Sequence, residues 1–278
     1  MDGLLIDSED LYTVCTNEVL HEYGKGDLPW SIKAQLQGRP GPEVSPPLPN
    51  HYENPTLLTR SQASKIFDAW AQLPITQDEL LDKIRVLQLK HFPSTQPLPG
   101  VRSLLQTLSR TANPHTHIAL ATSSNERNFG LKTAHLQDDF AVFEPRHRVL
   151  GDDPRIPAGR GKPSPEIYLV ALETINERIR AEGKEKEVVP AECLVFEDSV
   201  PGVEAGRRAG MQVVWCPHPG LLEECKGREK EVLAGTSIMQ QYGFSSGGAE
   251  APGKVDDGWG RLFKTLEDFP YRDYGIKV

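Results

Sequence analysis

The stretch Glu192–Pro217, ECLVFEDSVPGVEAGRRAGMQVVWCP, constrains the fold more than any other part of the chain. Leu194-Val195-Phe196 is an apolar run of the kind that forms a strand buried on both faces, and it stops at the adjacent carboxylates Glu197-Asp198. Pro201 suits the first turn of a helix, Ala205 and Ala209 lie on one face of it, Gly210 can close it, and Gln212-Val213-Val214-Trp215 reads as the next strand. The result is a β-α-β unit with two acids at its mouth, where open parallel sheets bind ligands. Neighbouring carboxylates among small residues suit a hard divalent cation such as Mg²⁺, which takes oxygen ligands and keeps waters. A helix N-cap acid beside a solvated neighbour is the alternative.

The rest of the chain can be read outward from this unit. After Pro97-Leu98-Pro99-Gly100, helix and strand patterns alternate: a helix over Val101–Leu108, a buried strand over His117–Thr122, a helix over Asn125–Leu136, short extended pieces at Phe140–Phe143 and Arg148–Leu150, and a long helix over Pro165–Glu182. Such alternation implies an α/β fold with a Rossmann-like parallel sheet. Leu11 to Thr95 contains no convincing strand. Helical spacing runs over residues 9–24, 28–38, Ser61–Ala71 and Gln77–Phe92, with a Pro/Asn/Ser-rich loop at Val44–Thr59. The expected organisation is a core of residues 1–10 and 96–278 with an inserted all-helical cap at 11–95. In the C-terminal extension 218–278, Leu221–Val232 reads as a helix, Phe244–Val255 as a mobile loop, Leu262–Leu266 as an edge strand and Phe269–Tyr274 as a docking tail.

With 39 acidic against 31 basic residues the net charge is −8, which argues against a nucleic acid or an anionic membrane as partner. An anionic substrate then needs a local basic site. Cys15, Cys193, Cys216 and Cys225 have no zinc or CxxC spacing and read as reduced structural thiols. MDGLLIDSED lacks the basic and apolar regions of a signal peptide, and no apolar stretch approaches the ~18 residues that span a bilayer. A cytoplasmic monomer or weak homodimer is expected.

The sequence sets small polar or charged residues at separate β-to-α turns: Asp2, Thr122-Ser123-Ser124-Asn125, Lys162 and Glu197-Asp198. A carboxylate, a hydroxyl, an ammonium and a metal-binding acid pair are the parts needed to hold a phosphoryl group, with backbone N–H groups at a helix start binding its oxygens. Singly, Thr122 could be a turn or cap residue and Lys162 a solvated one. Their order and context make the case.

That ordered set resembles the haloacid dehalogenase-like hydrolase superfamily, whose four motifs appear as MDGLLIDSE, IALATSS, GKPSPEIY and LVFEDSVPGVEAGRRAGM. Within it the chain looks most like the pseudouridine-5'-phosphatase group, through PLPGVRSLL, VLGDDP and TLEDFPYRDYGI. The resemblance implies a Mg²⁺-dependent phosphatase of small phosphorylated metabolites. It assigns Asp2 as the general acid/base that also offers its backbone carbonyl to the metal. Gly3 follows Asp2 in the substrate loop, Thr122 is the phosphate-binding hydroxyl, and Ser123 and Asn125 line the same pocket. Lys162 holds nucleophile and phosphate together, Asp198 ligates the metal and Glu197 belongs to the metal's shell. Gly38-Arg39 match a cap loop that faces the substrate in relatives; a helix C-cap with a surface arginine is the other reading.

The chain departs from the family in two places. The family's nucleophilic aspartate stands two residues before the acid/base aspartate, at the end of a central strand, whereas the residue before Asp2 is Met1. The motif is entered partway, so upstream sequence ending in Asp-x-Asp is the expectation, with a slot in the sheet where that strand is lacking. A non-catalytic metabolite-binding protein, or an enzyme with a relocated nucleophile, are the other readings. The second departure is the insertion Arg155–Arg160 before Gly161-Lys162. A β-phosphoglucomutase-like phosphoryl transferase uses the same motifs.

Overall fold

The computed structural model describes residues 1–38, 62–110, 116–236 and 253–277. Four helices come first: α1 (Ser8–Glu22), α2 (Trp30–Leu36), α3 (Gln62–Ala71) and α4 (Gln77–His91). α1 carries Glu9 and Asp10 in its first turn and His21 in its last, the polarity that suits the helix dipole. α4 opens on a capping box in which Glu79 N–H donates to Thr76 Oγ1 (3.2 Å) and Thr76 N–H donates to Glu79 Oε2 (2.8 Å). Val19 and Leu20 of α1, Leu28, Phe67 and Ala71 of α3, and Leu80 of α4 bury one another in a core of their own. No strand occurs among the described residues of this helical layer.

The α/β part continues with α5 (Val101–Arg110), β1 (Leu120–Ala121), α6 (Glu126–Thr133), α7 (Gln137–Phe140), β2 (Arg148–Val149), α8 (Glu166–Glu182), β3 (Leu194–Glu197), α9 (Val200–Arg208), β4 (Gln212–Trp215), α10 (Pro219–Glu224), α11 (Glu229–Leu233) and β5 (Gly260–Leu262). All strand pairs are parallel. The order β3-β4-β5 sets Glu197 opposite Trp215 and Trp215 opposite Leu262, while β1 pairs with β2, Ala121 opposite Val149. Thr122, Glu197 and Asp198 therefore leave the sheet at one edge, the carboxyl ends of the strands.

Among the described residues the sheet is split into these two ladders. Met1, Leu4, Leu5 and Ile6 are buried in one cluster with Leu120 of β1 and Val214 of β4, and the half-buried Leu194 and Phe196 of β3 pack against it. Met1–Ile6 form turns, Leu5 and Ile6 N–H donating to Met1 O (2.8 and 3.3 Å). Gly3, with φ +64°, gives the backbone its sharp bend there.

Several elements differ from the sequence reading. The strand expected over His117–Thr122 is confined to Leu120–Ala121, because its only partner among the described residues, β2, offers two residues of ladder. Phe140 ends a helix instead of starting an extended piece. Leu136, Phe140 and Phe143, all buried, recur at spacings of four and three, a helical period. The helix expected over Leu221–Val232 is two, α10 and α11, parted at Gly227 with φ +78°. The edge strand is Gly260–Leu262, ahead of the expected Leu262–Leu266. Phe269 does dock, stacking on Tyr274 (ring centroids 5.1 Å apart) and tilted against Phe196 (5.2 Å). Most of the expected loop Phe244–Val255 lies outside the described residues, as does Arg39.

His147, 4% exposed beside β2, provides a test of the packing. Its Nδ1 lies 3.0 Å from Thr174 Oγ1, which donates its own proton to Ala171 O (2.7 Å), so Nδ1–H is the donor. Burial, and then the Arg146 and Arg178 cations and His117, hold the His147 pKa below 6.5 against the opposing pull of Glu144. A histidine pKa depressed by folding leaves the unfolded chain binding more protons below about pH 6.5, so stability falls as pH drops through that value. The melting temperature is expected to fall from pH 7.5 to pH 5.5 more steeply in the wild type than in His147→Gln.

Candidate active site

The turn after Met1 aims Asp2 into a cage of donors. Asp2 Oδ1 accepts from Ser8 Oγ (2.6 Å) and from the Lys132 ammonium; Oδ2 accepts from Ser124 Oγ (2.8 Å) and, at 3.3 Å, from Thr122 Oγ1. Thr122 in turn accepts from Ser124 N–H (3.2 Å), the ordinary start of a β-to-α turn. Burial by itself would raise the Asp2 pKa, but the Lys132 charge, the Met1 amino group and the hydrogen bonds outweigh it and hold the carboxyl well below its ordinary range. Lys132 is completely buried on α6, its ammonium over the rings of Tyr12 (5.1 Å) and Phe92 (5.2 Å).

A second ion pair lies at the end of β3. Glu197 Oε1 accepts from the Lys162 ammonium and from Tyr168 OH, while Oε2 accepts from Ser199 N–H (3.2 Å) and Ser199 Oγ (3.0 Å). Burial opposes ionisation of Glu197, yet Lys162 and these hydrogen bonds bring its pKa down to about 2. Ser199 also caps α9 through Gly202 N–H (3.2 Å), and at Gly202 any β-carbon would collide with the Glu197 carboxylate. The side-chain-free helix start lets the acid lie flat on the first turn.

Asp198 is different. Its carboxylate accepts from Gln37 Nε2 (2.6 Å), its main-chain oxygen from Trp215 Nε1 (2.9 Å), and it forms no salt bridge among the described residues. Burial, then Glu197 and Glu9, push its pKa well above the ordinary aspartate value. A β-carbon on Gly3 would lie 2.5 Å from Asp198 Oδ2, which ties the first turn to the end of β3. Asp2 thus bonds Thr122 and Ser124, and Gly3 beside it packs on Asp198, at the edge where β1 and β3 end.

The described residues hold no cluster of three or more His, Cys, Asp or Glu arranged for a metal. Magnesium needs less, one or two carboxylates plus waters and a phosphate. Asp198, an unpaired carboxylate in a negative neighbourhood, fits that role. Glu197 does not, because Lys162, Tyr168 and Ser199 already engage both its oxygens.

The structure places the residues singled out in the sequence as follows. Lys162 faces Glu197, and it is Lys132, unnoticed in the sequence, that faces Asp2. Ser124 supplies a second hydroxyl to Asp2, and the Ser123 carbonyl is packed against Gly151, where a β-carbon would not fit. Asn125 caps α6, its Oδ1 accepting from Asn128 N–H (2.9 Å), so that group is spent on the helix start. From the helical layer, Gln37 reaches Asp198 and Gly38 rests on Ser199, while Arg39 lies outside the described residues.

Comparison with known proteins fits this geometry. A model of the haloacid dehalogenase-like hydrolase family matches residues 1–210. A Saccharomyces cerevisiae protein named "Probable pseudouridine-5'-phosphatase" is 42% identical over 219 residues, 79% of this chain and 80% of the relative. The (DL)-glycerol-3-phosphatase 2 of Arabidopsis thaliana is 32% identical over 221 residues, 80% of this chain and 78% of the relative. Among solved structures, a conserved haloacid dehalogenase-like protein of Agrobacterium tumefaciens has the same fold, with a TM-score of 0.55 at 19% identity over 87% of this chain and 96% of that one. The chain belongs to the haloacid dehalogenase-like hydrolase family. It is a phosphoric monoester hydrolase by class, with relatives in the pseudouridine-5'-phosphatase group.

Proposed function

We propose a cytoplasmic, Mg²⁺-dependent phosphatase of small phosphorylated metabolites, working through an aspartyl-phosphate as a monomer or weak homodimer. Among the described residues no helix is long and apolar enough to cross a membrane. The observation that carries the reading is the seating of Asp2, with Thr122 and Ser124 hydroxyls on one carboxylate oxygen and Gly3 against Asp198. Asp2 is the proton-transfer group: in its protonated form it would give its proton to the leaving alcohol, and as the carboxylate that Lys132 favours it takes one back from the attacking water. Thr122 and the N–H groups opening α6 bind phosphate oxygens. Lys162 adds positive charge opposite them once drawn from Glu197. Asp198, with the Asp2 carbonyl, would hold the cation, which when bound neutralises phosphate charge. The phosphoryl acceptor is an aspartate two residues before Asp2 in the family motif.

The S. cerevisiae relative's name favours a pseudouridine 5'-phosphate-like nucleotide and the A. thaliana relative's a polyol phosphate; both favour hydrolysis over transfer to a sugar. The test compares phosphate release by the 278-residue chain and by a version extended upstream of Met1, across pseudouridine 5'-phosphate, glycerol 3-phosphate and sugar phosphates with Mg²⁺. Turnover is expected from the extended form, with the shorter chain near background. Mg²⁺-dependent turnover by the shorter chain would overturn the assigned acceptor, and none by either form would overturn the phosphatase.

A further inference from the structure

The helical layer meets the catalytic edge along one face of α2. Trp30 stacks on His218, ring centroids 4.5 Å apart and planes 17° off parallel, and Gly220 has no β-carbon where one would enter the Trp30 indole. One turn on, Lys33 (5% exposed) donates to Glu9 O at 2.9 Å, with Glu9 Oε2 at 3.8 Å. One turn further, Gln37, also 5% exposed, donates to Asp198 Oδ2 at 2.6 Å, and Gly38 then rests on Ser199. Spacings of three and four place Trp30, Lys33 and Gln37 on a single stripe.

One of these contacts puts an amide donor on the buried Asp198 carboxylate, and another sets the Lys33 ammonium 3.8 Å from the half-buried Glu9 carboxylate. Glu9 and Asp198 are neighbours, since a β-carbon on Gly3 would lie 2.6 Å from Glu9 Cγ and 2.5 Å from Asp198 Oδ2. α2 and its C-cap therefore bring an ammonium near one carboxylate and an amide N–H onto the other, the place where positive charge is most wanted. The amide is not at rest there. Among the described residues Gln37 Oε1 is buried with no hydrogen-bond partner, an arrangement that native interiors rarely keep without a reason. In this orientation Gln37 also covers the oxygen that a cation on Asp198 would take.

We propose that α2 is a clasp released by the cation: a divalent ion binding Asp198 displaces the Gln37 amide, and loss of that bond loosens α2 from the core. The inference rests on reading Asp198 as the cation ligand. Linkage is reciprocal, so whatever removes the clasp must tighten cation binding by the amount that the cation loosens the clasp.

Mn²⁺ binding is measured by calorimetry on the wild type, Gln37→Met and Asp198→Asn, with hydrogen exchange of the amides of residues 30–38 followed in parallel. Met keeps the length and bulk of Gln37 without the donor. In the wild type Mn²⁺ is expected to speed exchange over α2. In Gln37→Met, Mn²⁺ is expected to bind about tenfold tighter, the scale of one hydrogen bond to a charged group, and α2 to exchange fast with or without metal. Equal affinity in wild type and Gln37→Met, where Asp198→Asn abolishes binding, would overturn the clasp and leave the cation site standing. Binding that Asp198→Asn does not weaken, or no binding at all, would overturn the cation site and the clasp with it.

Discussion

Lys162→Met is expected to lower the unfolding free energy by about 3–5 kcal/mol, the usual result of removing one partner from a buried ion pair. Lys162 is 8% exposed and Glu197 3%, so neither charge has water to fall back on. The carboxylate would keep Tyr168 OH and the two Ser199 donors, but hydrogen bonds from neutral groups do not balance a whole charge at that depth. Met fills the Lys162 stem, which lies over the Tyr168 ring with its nitrogen 5.4 Å from the centroid, so the loss measures charge, not a cavity. Urea unfolding of Lys162→Met, Glu197→Gln and the double variant separates the terms. The double variant is expected to be more stable than Lys162→Met alone, because the amide that replaces the Glu197 carboxylate retains its shape without the stranded charge. Equal losses in the single Lys162→Met and the double variant would show that the pair is not what holds this end of the sheet. Phosphate release by the upstream-extended form should vanish with Lys162→Met and should not return in the double variant, since the ammonium is gone from both.

The parts of this site that the sequence disclosed are those where local pattern and tertiary position coincide. Leu194–Phe196 is apolar because both faces of β3 are covered, and Glu197-Asp198 follow because the strand ends at the open edge; reading the run locates the acids. Thr122 stands just past the end of β1 for the same reason, whereas Asp2, in a turn with no described strand before it, was reached only through its motif. Lys132 was not legible. It sits in an α6 segment, GLKT, whose lysine looks like any solvated helical cation, and nothing local says that Tyr12 and Phe92, 120 and 40 residues away, close over it. Gln37 carried even less signal, being a neutral amide at the end of a short helix. Glu197 illustrates the opposite failure. The adjacent acids looked like one metal shell, yet successive residues leaving a strand point apart, so one turns to Lys162 and Tyr168 and the other to Gly3 and Gln37. Strand lengths were overestimated at β1 because apolar character reports burial, whereas a ladder also needs a partner of equal length.

Lys132→Met is expected to cost about 3 kcal/mol in unfolding free energy, somewhat less than Lys162→Met, since Asp2 keeps hydroxyl donors from Ser8, Ser124 and Thr122 and its side chain is 17% exposed. Lys132→Arg should not restore it. The ammonium is a compact donor set among Asp2, Ser124 Oγ and Tyr12 OH (3.3 Å), roofed by the rings of Tyr12 and Phe92, and a planar guanidinium cannot occupy that space without moving them. Asp2→Asn combined with Lys132→Met should regain much of the lost stability, because it removes the charge that the single variant strands. Activity should behave otherwise. In the upstream-extended form Asp2→Asn is expected to reduce phosphate release about 10²–10⁴-fold, the range for loss of a proton-transfer group, and the stabilised double variant should be no faster than Asp2→Asn. A double variant that recovered turnover along with stability would remove Asp2 from the chemistry and leave it a structural counter-charge to Lys132.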